Sequence, residues 1–237
     1  MVTLQNFGFN DVSTQLIVAA LNEEEGIGAT LREFKGVMGN LPILVVDGNS
    51  QDRTVQVAKD LGADLVFQDG FGKGDAIAKG ISLMDNKTKY IVLTDADYTY
   101  PAEYIPSMID VLERTPEVGM VCGNRFSEKT EDKSFHRKFY LGNKILAFAH
   151  NVLIGATLDD PLTGLRVIKA EILKNLKIKS KGFDIEVELN SQVLKRGYLI
   201  VEVPIRYRAR LGEKKLRVRD GSTILKRIIS ESSAHLL

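Results

Sequence analysis

Residues 90–101 read YIVLTDADYTYP, and this stretch decides the fold. Tyr90 to Thr94 is a continuous run of strand-forming residues. The acidic Asp95-Ala96-Asp97 follows, and Pro101 then supplies the fixed φ that suits the first turn of a helix. A run without polar alternation is buried on both faces, the condition of a strand in a parallel sheet covered by helices.

The same pattern extends in both directions. Upstream, Gln15–Ala20 (QLIVAA), Ile43–Asp47 (ILVVD) and Ala63–Phe67 (ADLVF) are apolar strand runs. Between them lie helical spacings: Ile27, Leu31, Phe34 and Met38; then Val55, Ala58 and Leu61, with Asp52 as N-cap. After Gly72 comes Ala76, Ile77, Gly80, Ile81 and Met84 on one face, before the 90–101 stretch. Downstream, the helix opened by Pro101 runs to about Arg114, and Val118–Gly123 (VGMVCG) is a fifth strand. Alternating strands and helices predict an α/β protein with a Rossmann-like, mostly parallel, doubly wound sheet. Beyond the polar loop 127–134 the pattern is mixed. A long segment from Phe135 to Thr157 leads to a helix over 184–196, strands over 199–204 and 205–210, and an amphipathic helix over 221–237. This half completes one mixed sheet rather than folding alone.

The chain has 237 residues, with 32 Lys+Arg against 31 Asp+Glu and a net charge of +1. That is enough for a large core without disulfides, and it provides no basic field to attract nucleic acid. The single cysteine, Cys122, sits in an apolar run and reads as a buried strand thiol. Residues 1–13 lack the basic and apolar parts of a secretion signal, and no run reaches the roughly 18 apolar residues of a membrane span. The expected location is the cytoplasm.

In open α/β sheets ligands lie beyond the carboxyl ends of the strands. Asn22 and Glu23 follow the first strand, Asp47 ends the second, and Asp95 and Asp97 follow the fourth. Asp95 and Asp97 are two apart, so in extended chain both carboxylates face one side and can share a hard cation such as Mg²⁺ or Mn²⁺. Gly70, Gly72 and Gly74 surround Lys73 at a helix start, either an anion cradle or a plain tight loop. Gly74 stands where a Walker loop needs Ser or Thr, and no GxGxxG follows the first strand, so ATP hydrolysis and dinucleotide redox chemistry lose their main support. Asp184, Glu186 and Glu188 near a helix start are acids that the helix dipole favours, with a substrate role for Asp184 or Glu186 as the alternative. His136, His150 and His235 lie outside the strand-end loops and read as surface or packing residues.

In this order the segments resemble inverting family-2 glycosyltransferases with the GT-A fold, and among them the polyprenyl-phosphate hexosyltransferases of the dolichyl-phosphate mannose synthase type. The resemblance spans about Leu16 to Gly221. It rests on Leu21-Asn22-Glu23, on VVDGNSQDRT for the family's VVDDGSxDGT, on Gly72 to Ala76 for GKGxA, and on Asp95-Ala96-Asp97. It continues with Gly123-Asn124-Arg125, with Asp160, Pro161, Thr163, Gly164 and Arg166 of an Asp-Pro-x-Thr-Gly-x-Arg motif, and with Arg210 to Leu216 for RxGxSKL. Gly48, Thr99 and Lys214 depart from the pattern, so the donor's base and sugar stay open between GDP-mannose and UDP-glucose.

The resemblance implies a single GT-A catalytic domain over 1–237. Residues 1–125 would bind a nucleotide sugar, 126–220 the acceptor, and 221–237 would form a C-terminal helix. It implies transfer of a hexose with inversion to a dolichyl or polyprenyl phosphate. Leu21, Asn22, Glu23, Asp47, Lys73 and Ala96 would line the donor site, with Glu23 and Asp47 at the base and ribose. Asp95 and Asp97 would hold the diphosphate through Mg²⁺ or Mn²⁺, and Arg210 and Lys215 would close over it. Arg125, Arg137 and Arg166 would receive the acceptor phosphate, and Asp95, Asp97, Arg125 and Arg210 form the catalytic set. The segment 139–156, FYLGNKILAFAHNVLIGA, with Arg137, Lys138 and Lys144 near its start, suits the headgroup layer of an anionic bilayer, or else a plain buried helix. The expectation is a peripheral protein on the cytoplasmic membrane face, with a homo-oligomer left open. A soluble acceptor such as a phosphoglycerate, or a non-catalytic nucleotide-sugar-binding protein, is the alternative.

Overall fold

The structure, a computed structural model, describes residues 13–126 and 137–233. Its elements are β1 (Thr14–Ala20), α1 (Ile27–Met38), β2 (Ile43–Asp47), α2 (Thr54–Asp60), β3 (Asp64–Phe67), α3 (Lys73–Ser82) and β4 (Tyr90–Asp95). A 3₁₀ turn (Ala102–Tyr104) leads into α4 (Ile105–Arg114), followed by β5 (Val118–Asn124), α5 (Arg137–Ile154) and β6 (Arg166–Lys169). The chain closes with α6 (Ala170–Leu173), α7 (Ile185–Lys195), β7 (Leu199–Pro204) and α8 (Asp220–Ser233).

The strands form one seven-stranded sheet in the order β3-β2-β1-β4-β6-β5-β7. β1, β2, β3 and β4 are parallel, β6 runs antiparallel to both β4 and β5, and β7 lies parallel to β5. The second half therefore finishes the sheet begun by the first. Strand alternation divides the core. Leu16 and Val18 pack with Leu31, Phe34, Met108 and Leu112 on one face, while Ile17 packs with Ile77, Ile81, Leu189 and Val193 on the other. Each fully buried Leu, Ile or Phe contributes about 1.5–3 kcal/mol. A third cluster of Ile154, Val187, Ile224 and Ile228 locks α5, α7 and α8 together.

The structure corrects four local expectations. Residues 205–210 are not a strand. Ile205 N–H still bonds Asn124 at 3.1 Å, but Arg208 and Leu211 N–H then donate to the carbonyls of Thr99 and Asp97, carrying the chain across the sheet's end. Asp52 does not cap α2 as its N-cap residue; it accepts from Thr54 N–H and Oγ in a local turn at 2.9 and 2.5 Å. The helix after Pro101 begins with the 3₁₀ turn, and α8 starts at Asp220, with 234–237 outside the described residues.

Candidate active site

β2 and β4 flank β1 on opposite sides, so chain order reverses there, and such a reversal opens a crevice at the strands' carboxyl ends. In register, Ala20 pairs with Asp47 and Ala19 with Asp95, which brings the residues after β1 and β4 to one rim. A cavity of about 760 Å³ lies along this rim.

Asp95 and Asp97 both line it. Asp95 Oδ1 is 2.6 Å from Lys73 Nζ, which also lies 2.7 Å from Glu186 Oε1. Burial pulls the Lys73 ammonium downward, but Asp95 and then Glu186 outweigh it and hold its pKa well above the usual lysine range. Asp97 Oδ1 accepts from Thr99 N–H and Oγ at 3.2 and 2.6 Å, and its Oδ2 is 3.2 Å from Arg210. Burial, and then the charge of Asp95, push the Asp97 carboxyl up. This is the electrostatic condition of two neighbouring carboxylates that a cation relieves. Below Asp95 the backbone comes so close that a Cβ on Gly164 would lie 2.7 Å from Asp95 Oδ2, while Gly164 N–H donates to Tyr100 OH at 2.7 Å. A side chain at position 164 would push the Asp95 carboxylate out of place.

The segment after β7 forms a strap across the opening. Arg210 lies 2.8 Å and Lys215 2.9 Å from Glu23 Oε1, and Lys215 also donates to the Asn22 carbonyl at 2.6 Å. Burial pushes the Glu23 carboxyl up to about 6 despite the opposing pull of Lys215 and Arg210. Glu23 Oε2 is buried with no donor among the described residues, an acceptor left open beside Gly212.

The sequence-derived candidates do not all converge here. Leu21, Glu23, Lys73, Asp95, Ala96, Asp97, Arg125, Arg210 and Lys215 line the cavity. Asn22 instead stitches two loops, its N–H bonding Ser50 Oγ and its Oδ1 accepting Gln51 N–H. Asp47 does not line the cavity: it is fully buried, and its oxygens accept from Ser50 N–H and Oγ at 2.7 and 2.6 Å.

Arg166, expected at the acceptor phosphate, is 1% exposed and points beneath the floor. It donates to the carbonyls of Thr163 (3.0 Å) and Pro161 (2.7 Å) and to Asn190 Oδ1 (2.5 Å), which leaves it no reach into the cavity. Arg125 faces the cavity with its guanidinium held by both Asp160 oxygens at 2.7 Å. The side chains of Arg137 and Lys138, and all of His136 and His235, lie outside the described residues.

The glycine cluster is a tight loop. A Cβ on Gly72 or Gly74 would collide with the carbonyls of Lys181 and Ser180, and Asp75 N–H is taken by Lys181 at 3.2 Å. His150 is fully buried against Asn190, and burial pushes its pKa down to about 4, as fits a packing residue. Cys122 is buried and free, the thiol the strand pattern implies.

Glu186 meets Lys73 at the cavity, whereas Asp184 is turned to Arg227 at 3.0 Å. Gln68, which also lines the cavity, directly follows β3, where the strand-end rule points. Tyr100 and Tyr207, edge-to-face at 5.2 Å in the cavity wall, carry no sequence signal.

The lining also includes the apolar Leu146, Leu162, Phe183 and Ile224, which belong to the cluster packed between α5, α7 and α8. Beside it α5 exposes Leu141 (60%), Ile145 (59%), Phe148 (71%) and Val152 (63%), spaced to share one helix face. Among the described residues no helix is long and apolar enough to cross a membrane.

A cation fits the rim by its donor chemistry. Among the described residues no cluster of three or more His, Cys, Asp or Glu could hold a metal. Asp95 and Asp97 offer hard oxygens from two carboxylates, the number that suits Mg²⁺ or Mn²⁺ when ligand phosphates complete the shell.

Comparison with known proteins gives this site its context. The model of the family described as glycosyl transferase family 2 matches residues 15–177. The chain is 33% identical over 214 residues to a dolichyl-phosphate hexose transferase of Haloferax volcanii, covering 90% of each. It is 27% identical to a dolichol-phosphate mannosyltransferase of Pyrococcus furiosus, over 90% of this chain and 61% of that one. Glucosyl-3-phosphoglycerate synthase of Mycobacterium tuberculosis, crystallised with Mn²⁺, UDP-glucose and phosphoglyceric acid, superposes with a TM-score of 0.75 at 20% identity, covering 94% of this chain and 81% of that one. Family match and shared architecture together make the chain a GT-A-fold member of glycosyltransferase family 2, and hence a glycosyltransferase.

Proposed function

We propose that the enzyme moves a hexose, mannose from GDP-mannose or glucose from UDP-glucose, to a dolichyl or polyprenyl phosphate at the cytoplasmic membrane face, with inversion. The observation that carries this reading is the composite cavity. Its lining combines Asp95, Asp97, Arg125 and Arg210 with the apolar Leu146, Leu162, Phe183 and Ile224, and α5, which contributes Leu146, exposes further apolar side chains. A phosphate on a long hydrocarbon needs both kinds of surface. The names of the Haloferax and Pyrococcus relatives support the same acceptor class.

In this reading Glu23 binds the nucleoside. Its open, buried Oε2 calls for a hydroxyl donor such as a ribose offers. Leu21 and Gln68 flank the base. Asp95 and Asp97 hold Mg²⁺ or Mn²⁺, which when bound supplies Lewis-acid charge against the leaving diphosphate. Arg210 and Lys215, on the strap, turn from Asp97 and Glu23 to the diphosphate, adding positive charge where negative charge develops. Lys73 holds Asp95 and Glu186 in place along the sugar's side of the rim. Arg125, fixed by Asp160, meets the acceptor phosphate, and Arg137, at the first turn of α5, is assigned to the same phosphate from the sequence alone. A phosphate monoester is already ionised near pH 7, so its oxygen attacks the anomeric carbon without a general base, and positioning is what the chain provides.

The test is direct. Enzyme with Mn²⁺ or Mg²⁺, radiolabelled donor and a polyprenyl phosphate transfers label into the organic phase with one of the two donors. Label found only on a water-soluble acceptor such as phosphoglycerate overturns the lipid assignment. Label on neither acceptor, with nucleotide still bound, favours the non-catalytic alternative.

A further inference from the structure

We infer that Glu33, on α1 and outside the cavity, is a positioning residue that fastens the strap to the Asp95–Asp97 turn; its consequence for catalysis rests on the donor reading above. Both Glu33 oxygens grip the Arg208 guanidinium, at 2.5 and 2.9 Å, and Oε1 also accepts Ala102 N–H at 3.0 Å. Neither Glu33 nor Arg208 lines the cavity or the smaller recess beside the strap. The same Arg208 guanidinium lies 4.5 Å over the ring of Tyr98, the residue that follows Asp97.

The turn under that ring needs support. Tyr98 has φ +67°, a left-handed conformation that is unfavourable for a non-glycine residue. Its N–H is held by Thr30 Oγ at 3.0 Å, one turn before Glu33 on α1. Helix α1 therefore steadies the carboxylate turn from behind through Thr30 and grips the strap through Glu33.

The clamp matters because Arg210 and Lys215, the charged side chains that tie the strap down beyond Arg208, belong to the site. Beyond Arg208, Leu211 N–H bonds the Asp97 carbonyl, while Arg210 and Lys215 bond Glu23, Asp97 and the Asn22 carbonyl. A diphosphate that draws Arg210 and Lys215 to itself breaks those pairs. The Glu33–Arg208 fork lies outside that exchange and persists through it. A bidentate Arg–carboxylate pair also fixes direction as well as distance, which a lysine in place of Arg208 would not. The strap thus pivots about Arg208 instead of leaving the rim.

Glu33→Gln keeps an acceptor for Ala102 N–H and removes the charged fork; Arg208→Gln removes its other half. Two measurements on the full chain test the clamp, with the double variant as the coupling control. Without ligand, amide exchange across residues 209–216 should rise about tenfold in each variant while exchange in β1 and β4 stays unchanged. With Mn²⁺ and either UDP or GDP, calorimetric Kd should weaken about fivefold to tenfold, and the double variant should match the singles rather than multiply them. A lowered Tm with unchanged exchange across 209–216 and unchanged Kd overturns the inference, since that is what a merely structural pair would give. Multiplying effects in the double variant overturn it as well. If the unaltered enzyme binds neither nucleotide, the donor reading falls, and the exchange data alone decide the clamp.

Discussion

Replacing Ile145 and Phe148 together by serine separates a membrane-facing helix from a packed one. Phe148 is 71% and Ile145 59% exposed, so folding has already left most of each side chain in water. Full burial of such a side chain is worth about 1.5–3 kcal/mol, so inserting the exposed part into lipid supplies about 1–2 kcal/mol for each residue. The pair therefore carries about 3 kcal/mol of membrane affinity, roughly a hundredfold in partition, and almost none of the folding stability. The assay is cosedimentation with vesicles of anionic phospholipid, next to a thermal melt of the same protein. Vesicle binding should fall by about that factor while Tm stays within roughly 1–2 °C. Activity on a short-chain prenyl phosphate dispersed without membrane should persist, because neither residue lines the cavity. Unchanged vesicle binding, or a Tm loss of the size expected from a core truncation, refutes the assignment of this face to lipid.

The other predictions concern the rim and its floor. Asp97→Asn should lower metal-dependent turnover at least about a hundredfold, while stability holds or rises, because a buried carboxylate pressed by Asp95 becomes neutral; steady-state kinetics and a melt check both. Glu23, pushed up to about 6 in the fold, binds its proton more tightly there than in the unfolded chain, so its contribution to stability declines as pH rises from about 4.5 to 6. Glu23→Gln should remove that decline, gaining up to about 2 kcal/mol relative to the unaltered enzyme across the window, as urea melts at several pH values will register. Arg166→Met should cost about 3–5 kcal/mol by orphaning the carbonyls of Pro161 and Thr163 and the Asn190 amide oxygen, with Arg166→Lys recovering part of the loss in the same melts.

Much of the architecture is legible from residue pattern because buried parallel strands have a distinct composition. Ile43–Asp47 is apolar up to its final Asp and Tyr90–Asp95 carries only Thr94 before its own, and the structure ends both strands where the acids stand. Residues 205–210 alternate like a strand, but β7 ends at Pro204: Ile205 N–H still reaches Asn124 of β5, and the N–H groups of Arg208 and Leu211 then find Thr99 and Asp97 instead of a neighbouring strand. Alternation records what a segment can pair with, and the partner itself is set by the tertiary fold.

The site divides along a similar line, between which residues a motif names and which way each side chain leaves the backbone. Asp95 and Asp97 reach the rim because they sit where β4 stops, and position along the chain suffices to put them there. Arg166 belongs to a motif of the same type, yet it lies inside β6, where successive side chains alternate between faces and only one direction leads to the cavity. Asp160 and Gly164 of that motif do serve the rim, by holding Arg125 and by making room under Asp95. Arg166 serves it indirectly, drawing the carbonyls of Pro161 and Thr163 down onto its guanidinium so that the loop between them keeps its shape. A buried arginine without an ion pair among the described residues costs stability, and five N–H donors in one rigid plane can gather several carbonyls in a way that a neutral side chain cannot. The cation in that motif is thus explained by the backbone it organises, and in the proposed reaction the acceptor phosphate is left to Arg125, which faces the cavity.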